Sequence, residues 1–231
     1  MTQFRHYSFD LWMTLIKSNP SFKDERAKYF FQKFNGNRKS LEEIKFLFRK
    51  VDLLVGAITE KTGSHIASSD LYLMALSEIN EGHGFFEEVN LGELESDMET
   101  MALTYCPQLY SLETMSSLSK LKDKTRAPFS LLSNTAFIKG RTLRMVMERH
   151  ALSQFFDFQL YSDEAGFSKP NRAFFNEMIA QARAIPGQSG LTLPEIIHVG
   201  DNPIADGKGA EEAGISFLLI HSNGKTILDL L

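Results

Sequence analysis

The sequence predicts an α/β protein: a doubly wound parallel sheet, interrupted after its first strand by an insertion made only of helices. Three observations carry that reading. From about residue 20 to residue 105 the apolar residues recur at three- and four-residue spacing throughout. Before and after that block, short apolar runs are separated by helix-length segments, the pattern of parallel strands covered on both faces. Those runs end on or beside polar residues, where an open α/β sheet places its ligands.

Taken in order, "HYSFDLW" reads as the first strand. The helical block follows as "SFKDERAKYFFQKFN", "LEEIKFLFRKVDLLVGAI", "SSDLYLMALSEIN" and "LGELESDMETMALTY". In the second of these, Leu41, Ile44, Leu47, Phe48 and Val51 share one face, and Ser40 with Glu43 forms a capping box. "NGNRKS" and "EGHG" break the block. Phe22, Tyr29, Phe30, Phe31 and Phe34 of its first helix are expected to pack inside it. The rest alternates: helix near 110–124, strand "APFSLLSN", helix 137–149, strand "FDFQLYS", helix 171–184, strand "EIIHVGD", helix 204–213 and strand "ISFLLIHS". Residues 184–194, "AIPGQSGLTLP", read as a loop. The expected division is a core of residues 1–16 and 108–231 with a helical domain of residues 17–107.

The bulk numbers agree with a globular enzyme-sized domain. Apolar residues make up 43% and charged residues 23% of 231, enough to bury a sizeable core. A net charge of −4 with no long block of one sign argues against a nucleic-acid partner. Cys106 is the lone cysteine, which excludes an intramolecular disulfide and a cysteine-held zinc. "MTQFRHYSF" lacks the charged and apolar regions of a signal peptide. No run of about 18 apolar residues suggests a membrane span, so no membrane partner and a cytoplasmic location are expected.

The strand tips carry the chemistry. Asp10 follows the first strand, Ser133 and Asn134 end the second, Lys169 lies in the loop after the third, and Gly200-Asp201 ends the fourth. Asp10, Asp201 and Asp206 brought to one edge would repel unless protonated or bridged by a cation. All-oxygen ligation without cysteine or a histidine set suits Mg²⁺. Lys169 would add a second positive charge, and Ser133 with the backbone N–H groups after it an anion-binding nest. Together these are the parts for phosphoryl transfer to an aspartate.

"FDLWMT", "LLSNT", "GFSKPNRAFF" and "HVGDNPIADGKGAEEAG" occur in that order on the expected elements. With them the chain resembles the haloacid dehalogenase superfamily of hydrolases, whose Rossmann-like core can carry a helical cap after the first motif. The resemblance covers residues 1–16 and about 108–231; the cap matches only in position and helical character. It implies that Asp10 is the nucleophile, that Thr14 supports its loop, and that Ser133 binds the transferring group. Lys169 would bridge that group and the nucleophile. Mg²⁺ would be held by Asp10, Asp201 and the backbone carbonyl of Trp12, with Asp206 ligating it through water or orienting Lys169. Trp12, Thr14, Ser133, Asn134 and Lys169 would surround a small phosphorylated metabolite. Gly207 and Gly209 would let their helix approach the sheet.

Trp12 departs from the phosphatase pattern. Family phosphatases carry there a second aspartate that protonates the leaving oxygen and later activates water, and tryptophan has no proton to give. An aromatic residue at this position resembles the 2-haloacid dehalogenases, which work without metal and lack the first acid of the fourth motif, kept here as Asp201. They also use an arginine near the cap; Arg26 is the nearest candidate and is expected to be a solvated helix residue. Three readings follow: a Mg²⁺-dependent hydrolase of phosphorylated metabolites, a hydrolase acting at carbon, and a non-enzymatic member that binds a phosphorylated ligand or a protein. Both monomer and homodimer fit the pattern. His198 reads as a core histidine, His65 and His83 as cap-loop residues, and Lys45, Arg49 and Lys50 as a solvated stripe.

Overall fold

The computed structural model describes residues 4–83 and 89–231. Five parallel strands, β1 (His6–Phe9), β4 (Phe129–Ser133), β5 (Phe158–Tyr161), β6 (Ile196–Gly200) and β7 (Ser216–Leu219), form one sheet in the order β5-β4-β1-β6-β7. From β1 the chain steps outward to β4 and β5, then returns to the other side of β1 with β6 and β7. The direction of winding therefore reverses between β1 and β6, the position at which such sheets bind ligands.

Alternation along β1 explains its mixed composition. Tyr7 and Phe9 point to one face and pack with Phe129, Leu131, Ile197 and Val199. His6 and Ser8 point to the other, where no water can solvate them, and bond across the sheet: His6 Nε2 with Ser130 Oγ at 2.8 Å, Ser8 Oγ with His198 Nδ1 at 2.9 Å. The first face is covered by α5 (Thr114–Thr125) and α6 (Gly140–Arg149), the second by α8 (Arg172–Ala184) and α9 (Gly209–Ala213).

The helical layer has its own apolar cluster. Its elements are α1 (Pro20–Lys33), α2 (Leu41–Thr62), α3 (Ser68–Ile79) and α4 (Leu91–Thr104), and Phe30, Phe48, Tyr72, Leu76 and Met98 meet inside it. Ser40 and Glu43 make the reciprocal cap of α2, and the left-handed Gly63 ends that helix. Asn19 caps α1 ahead of Pro20, whose missing N–H costs nothing there. Phe30 and Phe34 pack as expected, but Phe22 joins the cluster beneath the sheet instead and Phe31 remains exposed. Of the expected break "EGHG", Glu81 to His83 form a turn and Gly84 lies outside the described residues.

Several elements differ from the expectation. β1 stops at Phe9 because the chain then coils: Leu15 and Ile16 both donate to the Leu11 carbonyl, and Met13 is left-handed at φ 59°. Helix 204–213 is two pieces, a π-helical turn over Pro203–Lys208 and then α9. Two unforeseen strands, β2 (Ile16–Lys17) and β3 (Gln108–Leu109), pair antiparallel where the chain leaves and re-enters the sheet layer. A single turn, α7 (Ser162–Ala165), follows β5. Among the described residues, no helix is long and apolar enough to cross a membrane.

Candidate active site

The tips of β1 and β6 face each other across the point where the winding reverses. Phe9 and Val199 are paired, and the Asp10 N–H donates to the Val199 carbonyl at 2.9 Å. Asp10 and Asp201 are thus carried on adjacent strands, one residue past each end. Lys169 arrives from the loop between α7 and α8, and Asn134, just beyond β4, clamps its backbone: the Lys169 N–H donates to Asn134 Oδ1 at 2.7 Å and Asn134 Nδ2 donates to the Lys169 carbonyl at 3.0 Å.

Lys169 is 1% exposed, and its Nζ donates to Asp10 Oδ1 and to Asp206 Oδ1, each at 2.6 Å. The π-helical turn delivers Asp206. Its wide loop lets the N–H groups of Asp206 and Gly207 both reach the Asn202 carbonyl, which turns the carboxylate back toward the sheet. Both of its oxygens are engaged, Oδ1 also by His198 Nε2 at 3.0 Å and Oδ2 by the Asn202 N–H at 3.0 Å. A Cβ at Gly200 would stand 2.2 Å from Asp206 Oδ2, and one at Gly209 would stand 2.4 Å from the Phe175 ring. Only glycine admits the carboxylate and α9 this close to the sheet.

Charge follows from this crowding. Burial pushes Asp10 up to about 7 against the pull of Lys169, with Asp206 and Asp201 adding to the rise. Burial and Asp206 push Asp201 up to about 6. Burial acts on Asp206 in the same sense, but Lys169 and the His198 bond outweigh it and hold that carboxyl well below the usual range. Burial likewise disfavours the Lys169 charge, and the two carboxylates reverse the effect and raise it. Burial lowers His198, which favours its neutral form; its Nε2 meets Asp206 Oδ1 at 3.0 Å and its Nδ1 meets Ser8 Oγ at 2.9 Å. The histidine read as a core residue is buried, yet it also fixes the acid that orients Lys169.

Carboxylate oxygens of Asp10, Asp201 and Asp206 lie within 4.8 Å of one another. Such a set fits a hard divalent cation, and Asp10 and Asp201, both raised first by burial and further by the neighbouring acids, are the two whose oxygens are not all taken. Thr14 is buried beside Asp201 without a hydrogen bond of ordinary length. Ser133 is fully buried and donates to the Asn134 carbonyl at 3.2 Å; Asn134, not Ser133, reaches the cavity wall. The half-buried Trp12 lines that wall too.

The cavity, about 720 Å³, lies between the strand tips and the helical layer. Next to it, the Ser168 N–H donates to the Gly63 carbonyl at 2.9 Å and Asn202 Nδ2 donates to Glu60 Oε1 at 2.8 Å, tying the end of α2 to both site loops. Arg26 corrects the expectation of a solvated residue: it is 7% exposed and lines the cavity. Lys45 and Arg49 also reach the wall, paired with Asp24 and Asp52, while Lys50 pairs with Glu78. His65 meets Ser162 at 3.2 Å and His83 is exposed. Periodicity could not have found Arg26, because it sits in a helix whose cavity-facing side is polar and apolar by turns.

Residues 106–220 match the family model of haloacid dehalogenase-like hydrolases. The core belongs to that family. Over 81 residues, 35% of this chain, the sequence is 30% identical to haloacid dehalogenase-like hydrolase domain-containing protein 3 of Xenopus laevis, covering 30% of that protein. This chain spans less than two-fifths of the length of the curated relatives it matches. Among solved structures, the haloacid dehalogenase-type hydrolase YfnB of Bacillus subtilis, bound to magnesium, superposes with a TM-score of 0.72 at 18% identity, covering 96% of this chain and 91% of that one. The 2-haloacid dehalogenase of Pseudomonas syringae pv. Tomato gives 0.63 at 20% identity, covering 97% and 89%. A haloacid dehalogenase-like phosphatase from Thermococcus onnurineus has the same fold, at 0.59 and 19% identity, covering 96% and 88%. The fold is thus shared with proteins named as dehalogenases and as phosphatases.

Proposed function

We propose that this hydrolase is a Mg²⁺-dependent phosphohydrolase of a small phosphorylated metabolite, acting through an aspartyl phosphate on Asp10. The observation that carries the reading is the carboxylate cluster: Asp201 stands beside Asp10 with no cationic side chain paired to it among the described residues, while Lys169 is already shared by Asp10 and Asp206. A nucleophile that worked without metal would gain nothing from a third acid that makes its own ionisation harder. Asp10 and Asp201 would hold Mg²⁺, which when bound would favour the ionised carboxylates and polarise the phosphoryl oxygens. The magnesium bound to YfnB agrees with this.

The chain's own groups then divide the work. Asp10 Oδ1 is tethered by Lys169, leaving the other oxygen to attack phosphorus. As that bond forms, the ester oxygen departs with its electron pair, and the Lys169 ammonium offsets the charge gathered on the phosphoryl group. Asp206 and, behind it, His198 keep Lys169 in place. Water attacks the acyl phosphate in the second step and returns Asp10 and inorganic phosphate. Trp12 cannot protonate the departing oxygen or activate that water, assistance worth roughly 10²–10⁴-fold elsewhere. Esters of acidic alcohols, which leave without a proton, should therefore be the better substrates.

Phosphate release from p-nitrophenyl phosphate, with and without Mg²⁺ and with Asp10→Asn as control, tests the reading. Metal-dependent release that Asp10→Asn abolishes supports it. Metal-independent chloride release from 2-chloropropionate, with no phosphate release, would replace it by chemistry at carbon.

A further inference from the structure

Met13 follows Asp10 closely in the chain, and among the described residues that line the cavity it alone has a left-handed backbone, at φ 59°. The coil after β1 requires that conformation. The Met13 N–H donates to the Ile16 carbonyl at 2.7 Å, and the Leu15 and Ile16 N–H groups both turn back to the Leu11 carbonyl. Glycine would adopt this backbone freely, whereas any side chain is strained by it. Packing does not offset the strain: Met13 is 48% exposed, although Leu11, Leu15 and Ile16 around it are fully buried. An unburied thioether held in a strained conformation beside the nucleophile points to a ligand that covers it.

Much of the remaining wall is apolar, with Trp12, Pro20, Phe48 and Ile138 belonging to it. Of the cations along it, Lys45 is matched by Asp24 at 2.9 Å and Arg49 by Asp52 at 2.8 Å. The Arg26 guanidinium is stacked on Phe48 and Phe137, 4.1 Å and 4.4 Å from their ring centres. Away from Asp10 and Lys169, then, the cavity fits an apolar body better than a polyol, whose hydroxyls would lose water for few partners. The chemistry narrows the choice further. Trp12 has no proton to give, so the departing oxygen must be stable as an anion. A phenol meets both conditions, and its ring offers an edge to a methionine sulfur.

We propose that Met13 is a specificity-determining residue which, with Trp12, holds the leaving group, and that this group is a phenol with an apolar body. The substrate class is then an aryl phosphate monoester. This rests on the phosphohydrolase reading and names the substrate of that same site. As Asp10 bonds to phosphorus, the bond from phosphorus to the aryl oxygen breaks with its electron pair on that oxygen. The phenolate leaves without a proton from the chain and takes one from water.

The test uses the full chain with Mg²⁺ and two esters, para-isopropylphenyl and para-(hydroxymethyl)phenyl phosphate, whose phenols are of similar acidity. In the wild type, kcat/KM for the isopropyl ester exceeds that for the hydroxymethyl ester by about tenfold, from the apolar surface covered. In Met13→Gly this ratio falls by about threefold to tenfold. Met13→Asn, which accepts a left-handed backbone but offers no apolar surface, should act as glycine does, and Met13→Leu should recover most of the ratio. Because glycine releases the strain, the Tm of Met13→Gly should equal or exceed that of the wild type. A wild-type ratio of one or less overturns the proposal. So does a ratio that is the same in wild type, Met13→Gly and Met13→Asn, which together with a lowered Tm would mark Met13 as a packing residue.

Should neither ester be hydrolysed, equilibrium dialysis against para-isopropylphenol reports the apolar site directly. A Kd severalfold lower for the wild type than for Met13→Asn would keep the aryl site while the phosphohydrolase reading fell. Binding absent or equal in both chains would remove the aryl site as well.

Discussion

Replacing Lys169 by methionine keeps most of the side-chain volume and removes the cation shared by two buried carboxylates. Each pair is 2.6 Å long, which at an effective dielectric near 20 corresponds to about 6 kcal/mol of Coulomb attraction. Most of that is spent on desolvating three ions, and the loss on removing one partner of such a cluster is roughly 3–5 kcal/mol. The pH dependence has a definite sign. In the wild type, Asp206 titrates below its unfolded value, so it stabilises the fold above about pH 4 and loses that effect as pH falls. Without Lys169, burial would raise both carboxyls above their unfolded values, and each would then destabilise the fold as pH rises above about 4. The gap between the two proteins should thus widen with pH. Equilibrium urea unfolding in EDTA, followed by circular dichroism, should show a loss of roughly 3–5 kcal/mol near pH 8 and clearly less near pH 5. A loss under about 1 kcal/mol, equal at both pH values, would show that Lys169 does not couple the two acids and would refute the charge arrangement built on it.

Two more perturbations examine the remaining parts. Trp12→Asp restores a titratable group two residues after the nucleophile and should raise phosphate release from esters of poor leaving alcohols by up to about 10²–10⁴-fold; a folded variant with no gain in a steady-state phosphate assay would show that proton transfer does not limit the rate. His6, lowered by burial to about 4, should cost the fold about 3 kcal/mol as pH falls from near 6.5 to near 4, because the unfolded chain takes up the proton first. His6→Gln can keep a bond to Ser130 without titrating, so thermal melts should show the wild type losing more stability than the variant across that window. Parallel curves would contradict the assignment.

The strands and the carboxylates at their tips were readable because they follow from local chemistry. A strand covered on both faces must be an apolar run, and its exit must be polar, so Asp10, Ser133 and Asp201 mark the edge of the sheet before any packing is known. The helical block was readable for the same reason: Leu41, Ile44, Phe48 and Val51 keep helical spacing whatever they pack against. Less of the site's detail could be read. Ser133 and Asn134 are adjacent in the chain, yet only Asn134 reaches the cavity and holds Lys169 on both sides. The strands β2 and β3 are too short to show a period at all.

By itself, then, the order of residues determined the α/β alternation, the helical insertion and the acids and lysine that meet at one edge, since each depends on neighbours within a few positions. Tertiary structure alone decided which polar groups lose water. Arg26 looks like any charged helix residue until Phe48, 22 positions further along, and Phe137, from beyond the insertion, close over it. Asp206 is an ordinary acid until Lys169 and His198 are folded against it. Burial of a charge is a property of all the surfaces that enclose it, and those surfaces come from parts of the chain that local pattern cannot bring together.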